Sequence, residues 1–309
     1  MYRALRFSVR TALRLYFGRI DADMRSAPRT GTLLLACNHP NSFLDALLVA
    51  THLPQRMCFL ARGDAFRNPI AAMLLRALYM IPVYRMSEGR ARLRQTTKSF
   101  RSANKELLSG RSVLVFAEGL SVNQPGLRPL GKGAARIAAM TWKGGADIAV
   151  VPVWLEYGRF HQPFAEVALR TGTLIENGVL SAQAEALFLR GFNTVLRRRL
   201  LEMAETVSFG QVPAHGGAFR RFLLAPPALA GLLLHAPWYF AVRLLTAALT
   251  RGTIFFDSVL FGLLFLSYPL WLLLLTATGL LLGLQGWAWL VWPVVPFTLW
   301  LLNRWRRKP

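Results

Sequence analysis

Acidic residues are scarce in this chain: 15 Asp and Glu stand against 37 Lys and Arg, a formal charge of +22 over 309 residues. So few carboxylates point to anionic partners, either nucleic acid or an anionic lipid surface with anionic substrates. Cysteine is nearly absent as well. Cys37 and Cys58 lack metal-type spacing, and their small number suits a reducing compartment. His52, His161, His215 and His235 stand isolated, with no HxxxH or Cys/His grouping for a metal. Gly144-Gly145 follows Lys143 without a phosphate-loop pattern. There is no internal repeat and no long low-complexity segment. The first twenty residues lack an uninterrupted apolar core, because an Arg recurs every three to five positions, so no cleavable signal peptide is expected.

Apolar residues are abundant instead, at 54% of the chain. They gather in the last ninety residues or so, which predicts a soluble domain followed by membrane-embedded segments. That apolar tail favours lipid over nucleic acid as the partner of the basic surface, and no nucleic-acid reading motif is present.

In chain order, Arg3, Arg6, Arg10 and Arg14 share one helical face, while Leu5, Phe7, Val9, Leu13, Leu15 and Phe17 supply much of the rest. This suits either a helix lying in the headgroup region or an ordinary surface helix packed on the domain. Short apolar runs then predict buried strands at residues 32–37 (TLLLAC), 57–61, 80–84, 112–117 (SVLVFA), 148–155 (interrupted by Pro152) and 167–171. Helical patterns fall between them, at 46–52, 68–79, 87–108, 134–142 and 181–207. Strands alternating with helices imply an α/β fold with a largely parallel central sheet covered by helices on both faces.

Beyond Arg220-Arg221, residues 222–241 are apolar but carry Pro226, Pro227, His235 and Pro237, which favours a kinked or re-entrant segment over a straight crossing. Residues 259–282 form a clean apolar run of 24, about 36 Å as a helix and enough to span a bilayer. A second apolar stretch at 287–302 carries Trp287, Trp289, Trp292 and Trp300, with Trp305 beyond, as an interfacial aromatic belt would. Arg251 precedes this pair, and Arg304, Arg306, Arg307 and Lys308 follow it, so both ends are expected on the cytoplasmic side. The organisation read here is a membrane-surface helix over 1–20, an α/β domain over 21–212, a kinked interfacial or re-entrant segment over 219–245, a transmembrane helical hairpin over 254–303 and a basic cytoplasmic tail over 304–309.

Chemistry concentrates at residues 38–45, Asn-His-Pro-Asn-Ser-Phe-Leu-Asp, where a strand hands over to a helix, the place where open α/β sheets present their sites. His39 with Asp45 could be a general base with its orienting carboxylate. Equally, Ser42-x-x-Asp45 fits a helix capping box, and His39 could be a polar turn residue.

Four stretches at or beside strand ends (38–45, 82–85, 116–134 and 151–153) together resemble the four sequence blocks of the glycerophosphate and lysophospholipid acyltransferases. Over residues 20–210 the pattern is most similar to the branch acting on glycerol 3-phosphate or dihydroxyacetone phosphate, given His39-Pro40-Asn41, Phe116-Ala117-Glu118-Gly119-Leu120-Ser121 and Gly133-Ala134-Ala135-Arg136-Ile137-Ala138. The resemblance implies an acyltransferase fold. It also implies His39 as the base that takes a proton from an acceptor hydroxyl attacking an acyl thioester, and Asp45 as the group that sets its tautomer. Arg85 would pair with phosphate, and Glu118 and Gly119 would position the acceptor. Ser121 would be a hydrogen-bond partner at the substrate site, and Lys132 could add charge at a helix N-terminus. Pro152 would shape an acyl channel.

Acyl-CoA or acyl carrier protein would be the donor, and a glycerophosphate or lysophospholipid the acceptor. Anionic membrane lipids would be partners, with no nucleic acid, cofactor or metal. The chain departs from the family in three ways: five rather than four residues separate His39 from Asp45, Leu120-Ser121 replaces a Thr-Arg, and Ala117 replaces a Pro. The first requires an extra residue to be absorbed in the Pro40–Asn41 turn. The second leaves the acceptor open, with 1-acylglycerol 3-phosphate the main rival. A membrane scaffold that keeps the fold without the chemistry is the non-enzymatic alternative.

Overall fold

The computed structural model describes residues 2–83, 90–177, 185–210 and 218–306. Its centre is β2, Leu33–Cys37, in which every residue is buried. The strand is flanked on both sides by parallel neighbours, which is why it is apolar throughout rather than alternating. Its side chains still divide by the period of two. Leu34 and Ala36 enter one core with Val113, Val115, Val150 and Trp154; Leu33, Leu35 and Cys37 enter the other with Leu114, Val151 and Val153.

The other strands are β1 (Arg19–Asp23), β3 (Met57–Arg62), β4 (Met80–Val83), β5 (Ser112–Phe116), β6 (Ala149–Tyr157) and β7 (Glu166–Thr171). They line up in the order β1-β7-β6-β2-β5-β3-β4. Every pairing is parallel except β6 with β7. The largely parallel, helix-covered sheet therefore stands as the alternation predicts. Two helices, α1 (Tyr2–Tyr16) and α2 (Ser42–His52), contribute Leu13, Leu44 and Leu48 to one face. On the other face lie α4 (Arg90–Leu108), α5 (Gly133–Lys143) and α6 (Glu185–Glu205), through Leu107, Ile137 and Leu196. The remaining helix of this domain, α3 (Pro69–Ala77), follows β3.

Two features depart from the sequence patterns. β1, with the sequence RIDAD, has no strand signature and is only partly buried. It forms because its backbone adds to the edge strand β7, while Arg170 donates to the Asp21 carbonyl at 2.7 Å and to its carboxylate at 2.6 Å. Pro152 does not break β6. It sits between the isolated bridge of Val150 with Ile175 and the β7 ladder that begins at Val153, where its missing N–H is not needed and its carbonyl accepts from Gly172 at 2.9 Å.

At the C-terminus, α7 (Ala218–Leu249) is one helix of 32 residues with Pro226, Pro227 and Pro237 inside it, where the sequence favours an interrupted segment. Packing of α7 against α8 and α9 accompanies the cost of the lost hydrogen bonds. α8 (Phe256–Leu281) leaves the α/β domain at Asp257. A 3₁₀ turn at Gln285–Leu290 reverses the chain, and α9 (Val291–Arg306) brings it back to the domain at Asn303, whose Nδ2 donates to the Arg14, Leu15 and Phe17 carbonyls. These side-chain bonds satisfy carbonyls at the end of α1. Phe222–Leu249 and Phe256–Leu281 are long and apolar enough to cross a membrane.

Candidate active site

The site forms at the carboxyl end of β2. One residue past the strand, the Asn38 side chain takes over the ladder: its Oδ1 accepts from the Leu155 N–H at 2.7 Å and its Nδ2 donates to the Leu155 carbonyl at 2.8 Å. This buried amide fixes the backbone that leads into His39.

His39 Nδ1 lies 2.8 Å from Asp45 Oδ2. A carboxylate can only accept, so Nδ1 is the donor of this bond, and in the neutral ring the lone pair then falls on Nε2. Among the described residues Nε2 has no hydrogen-bond partner. The imidazole stacks on Phe116, at the end of β5, with centroids 3.6 Å apart and planes 8° from parallel. One bond and one ring therefore set the position and plane of the imidazole.

Asp45 is 0% exposed. A buried carboxylate is tolerable only when fully hydrogen-bonded. Besides His39, it accepts from the Asn41 backbone N–H at 2.8 Å and from the Tyr157 hydroxyl at 2.6 Å. The Ser42-x-x-Asp45 capping box does not form, because the N-cap is Asn41 and the Ser42 N–H goes to Ser121, but the Asp45 oxygen that meets the Asn41 N–H also holds His39. Burial, then the Asp45 charge and the bond to it, push the Tyr157 phenol well above its ordinary range, so it stays a donor. Burial, then the charges of Asp45 and Glu118, raise the Cys37 thiol well above its ordinary range and leave it inert as a nucleophile.

The extra residue between His39 and Asp45 is accommodated at Ser42, whose φ of +50° lies in the left-handed region, one position after the expected Pro40–Asn41 turn. Asn41 precedes the helix without capping it through its side chain. Neighbours supply the caps: Ser121 Oγ accepts the Ser42 N–H at 2.7 Å, and Ser258 Oγ, on α8, accepts the Leu44 N–H at 3.2 Å.

Of the expected substrate residues, Ser121 is brought against the His39–Asp45 turn. Glu118 lies just past β5, its side chain 3% exposed and its carboxylate engaged by Arg128. The Arg128 Nε and Nη2 donate to Oε2 at 2.9 and 2.6 Å, its backbone N–H reaches Oε1 at 3.4 Å, and Nη2 also donates to the Leu120 carbonyl. The pair closes the loop from 118 to 128. Gly119 occupies the left-handed region at φ +71°, with open space where a Cβ would point. Lys132 precedes α5 and is exposed. Arg85 lies outside the described residues.

Sequence reasoning did not single out Tyr157, Arg128, Asp257 or Ser258. Only a fold that places residues 112 and more apart in contact could reveal Tyr157 and the α8 pair. Arg128 carried a weak signal, as a lone cation in the loop after Glu118. His161, isolated in sequence, comes to the rim, where its Nε2 is 2.9 Å from Asn123 Nδ2. His52 bonds the Leu48 carbonyl within α2, and its ring is held below the usual histidine range mainly by burial. Among the described residues no group of three His, Cys, Asp or Glu could hold a metal ion.

The geometry is that of an imidazole fixed at Nδ1 by a buried carboxylate, an arrangement in which a general base could be preorganised. In comparisons with known proteins, a family model described as Acyltransferase matches residues 21–156. Among solved structures, the 1-acyl-sn-glycerophosphate (LPA) acyltransferase PlsC from Thermotoga maritima is 18% identical, the match covering 66% of this chain and 81% of that one at a TM-score of 0.47. A comparison with curated proteins finds no match.

Proposed function

We propose that this chain, which a family model described as Acyltransferase matches over residues 21–156, moves a fatty acyl chain from an acyl thioester to the hydroxyl of glycerol 3-phosphate or a related glycerophosphate, with His39 as general base. The observation that carries this reading is the His39–Asp45 pair: an imidazole held at Nδ1 by a buried carboxylate, with Nε2 making no hydrogen bond among the described residues. Nε2 takes the proton as the acceptor oxygen attacks the thioester carbonyl, and Asp45 stabilises the imidazolium that forms. Collapse of the tetrahedral intermediate expels the thiol, which recovers the proton. No acyl-enzyme is needed, which agrees with Ser42 and Ser121 sharing a backbone-to-hydroxyl bond rather than either bonding the base.

The acceptor's phosphate requires cations. Arg85 and Lys132 supply them in this reading, with Gly119 leaving room for close approach. Glu118 acts through Arg128, by holding the loop that faces the acceptor. The C-terminal helices seat the domain on the bilayer, where one substrate or product dissolves. Arg243, Arg251, Arg304 and Arg306 stand at the ends nearest the domain, which supports a cytoplasmic face.

The test is acyl transfer by the purified full chain, wild type beside His39→Ala, with acyl-CoA and labelled glycerol 3-phosphate or 1-acylglycerol 3-phosphate. Transfer to the first acceptor, reduced by about 10²–10⁴ in His39→Ala, supports the reading. Transfer to the second alone retains the mechanism and changes the acceptor. Activity that survives His39→Ala removes the general base.

A further inference from the structure

α8 begins with an acid whose position is unusual for a helix of an apolar hairpin. Asp257 is 3% exposed. An acid in a first turn ordinarily serves its own helix, but the N-terminus of α8 has no side-chain cap bond. The Asp257 carboxylate is instead used by the α/β domain. It accepts from Asn41 Nδ2 at 3.0 Å and from the His161 backbone N–H at 3.0 and 3.1 Å. Because a carboxylate only accepts, it also fixes which way the Asn41 amide faces.

Ser258 extends the same grip. Its hydroxyl donates to the Asn41 carbonyl at 3.3 Å and accepts the Leu44 N–H at 3.2 Å. α2, whose N-cap residue Asn41 makes no side-chain cap bond, is thus capped in part from another helix more than two hundred residues away. Arg243, on α7, donates to the His161 carbonyl at 3.3 Å and lies over the Phe256 ring, whose other neighbour is the His161 imidazole. Asn41 is the common element. Its backbone N–H goes to the Asp45 oxygen that holds His39, while its side chain and carbonyl go to Asp257 and Ser258.

We infer that Asp257 and Ser258 are positioning residues for acyl transfer: the C-terminal hairpin sets the Asn41 turn so that Asp45 meets His39. On this view the apolar helices complete the site as well as anchoring it. The inference rests on the acyl-transfer reading for its kinetic consequence, but the clamp itself has a readout that does not.

The experiment compares the full chain in detergent micelles as wild type, Asp257→Ala, Asp257→Asn and Ser258→Ala. Hydrogen–deuterium exchange is followed over residues 33–45 and 112–116, and kcat and KM are measured with acyl-CoA and the glycerophosphate the wild type accepts. Asp257→Ala should speed exchange at residues 38–45 and leave 33–37 and 112–116 unchanged. Its kcat should fall about 10- to 100-fold, the scale of one lost charge-assisted hydrogen bond, with KM within about twofold. Asp257→Asn should recover most of that loss, because its amide oxygen accepts from His161 while the Asn41 amide turns over to accept from its nitrogen. Ser258→Ala should show the same pattern more weakly. Exchange that rises equally in the sheet, a loss carried by KM, or an Asp257→Asn as impaired as Asp257→Ala would each overturn the inference. If the wild type transfers no acyl group, the functional reading fails and the exchange data alone decide the clamp.

Discussion

In the sheet domain Leu33, Leu34 and Leu35 are 1%, 0% and 0% exposed, whereas in α7 and α8 Phe222 is 77%, Leu233 73% and Leu281 89% exposed. Buried polar groups occur in both regions. In the helices Asp257, Thr276, Thr298 and Asn303 are buried, and they bond to helix carbonyls or to the α/β domain. One region hides its apolar side chains from water; the other turns them outward and closes its polar groups among the helices. That inversion suits an apolar surrounding medium, in which every polar group must find a partner inside. The two regions meet at the N-terminus of α8, where polar groups of the helices reach the Asn41 turn that leads into α2.

The sharpest way to break this division of labour is to remove chemistry from the sheet side alone. Asp45→Asn should lower acyl transfer by roughly 10²–10⁴, because the imidazole loses the carboxylate that sets its tautomer. Membrane association, measured by flotation with anionic vesicles, should be unchanged. A pair of equal truncations sharpens the comparison: Leu34→Ala should cost about 2–5 kcal/mol in denaturant unfolding of the detergent-solubilised chain, and Leu233→Ala, which empties no core, about 0.5 kcal/mol or less. Equal losses would show that α7 packs its outer face after all.

Next comes Tyr157→Phe, which leaves a lone pair of the buried Asp45 unpaired and should cost about 1–3 kcal/mol of stability, read by the same denaturation. The smallest effect is expected at the exposed strand edge. The Arg25 bond holds the Asp23 carboxyl at about 2, below its ordinary 3.8. A depressed folded value means that this contribution is complete above the unfolded pKa and fades as pH falls from about 4 toward 2. Arg25→Ala should therefore lower stability only slightly at neutral pH, because the pair is open to solvent and screened, and that small difference from wild type should vanish as pH falls toward 2.

Much of the sheet is legible in the sequence because its strands are uniformly buried. TLLLAC and SVLVFA can only be interior, and the helices between them imply parallel neighbours. β1 is not legible: RIDAD has no apolar alternation, and its conformation is decided by the free edge of β7 and by Arg170. Nor is the antiparallel sense of β7, since a short apolar run carries no direction. At the site, His39 and Asp45 are legible because six positions of one turn bring them together. Arg128 as the partner of Glu118 is half-legible, being near in sequence but otherwise an ordinary loop cation.

By itself the sequence determined local matters, in which the cause lies within a few residues: which segments are strands or helices, that a histidine sits at a strand-to-helix turn, and that the last ninety residues prefer an apolar medium. Only the tertiary structure decided which groups satisfy the buried carboxylate of Asp45 and which helix caps α2. Tyr157, Asp257 and Ser258 reach that turn from 112 to 217 positions away. The reason is physical. Burying a charge requires donors on several sides, and one stretch of chain can approach from only one, so the rest of the shell must come from wherever the fold folds back.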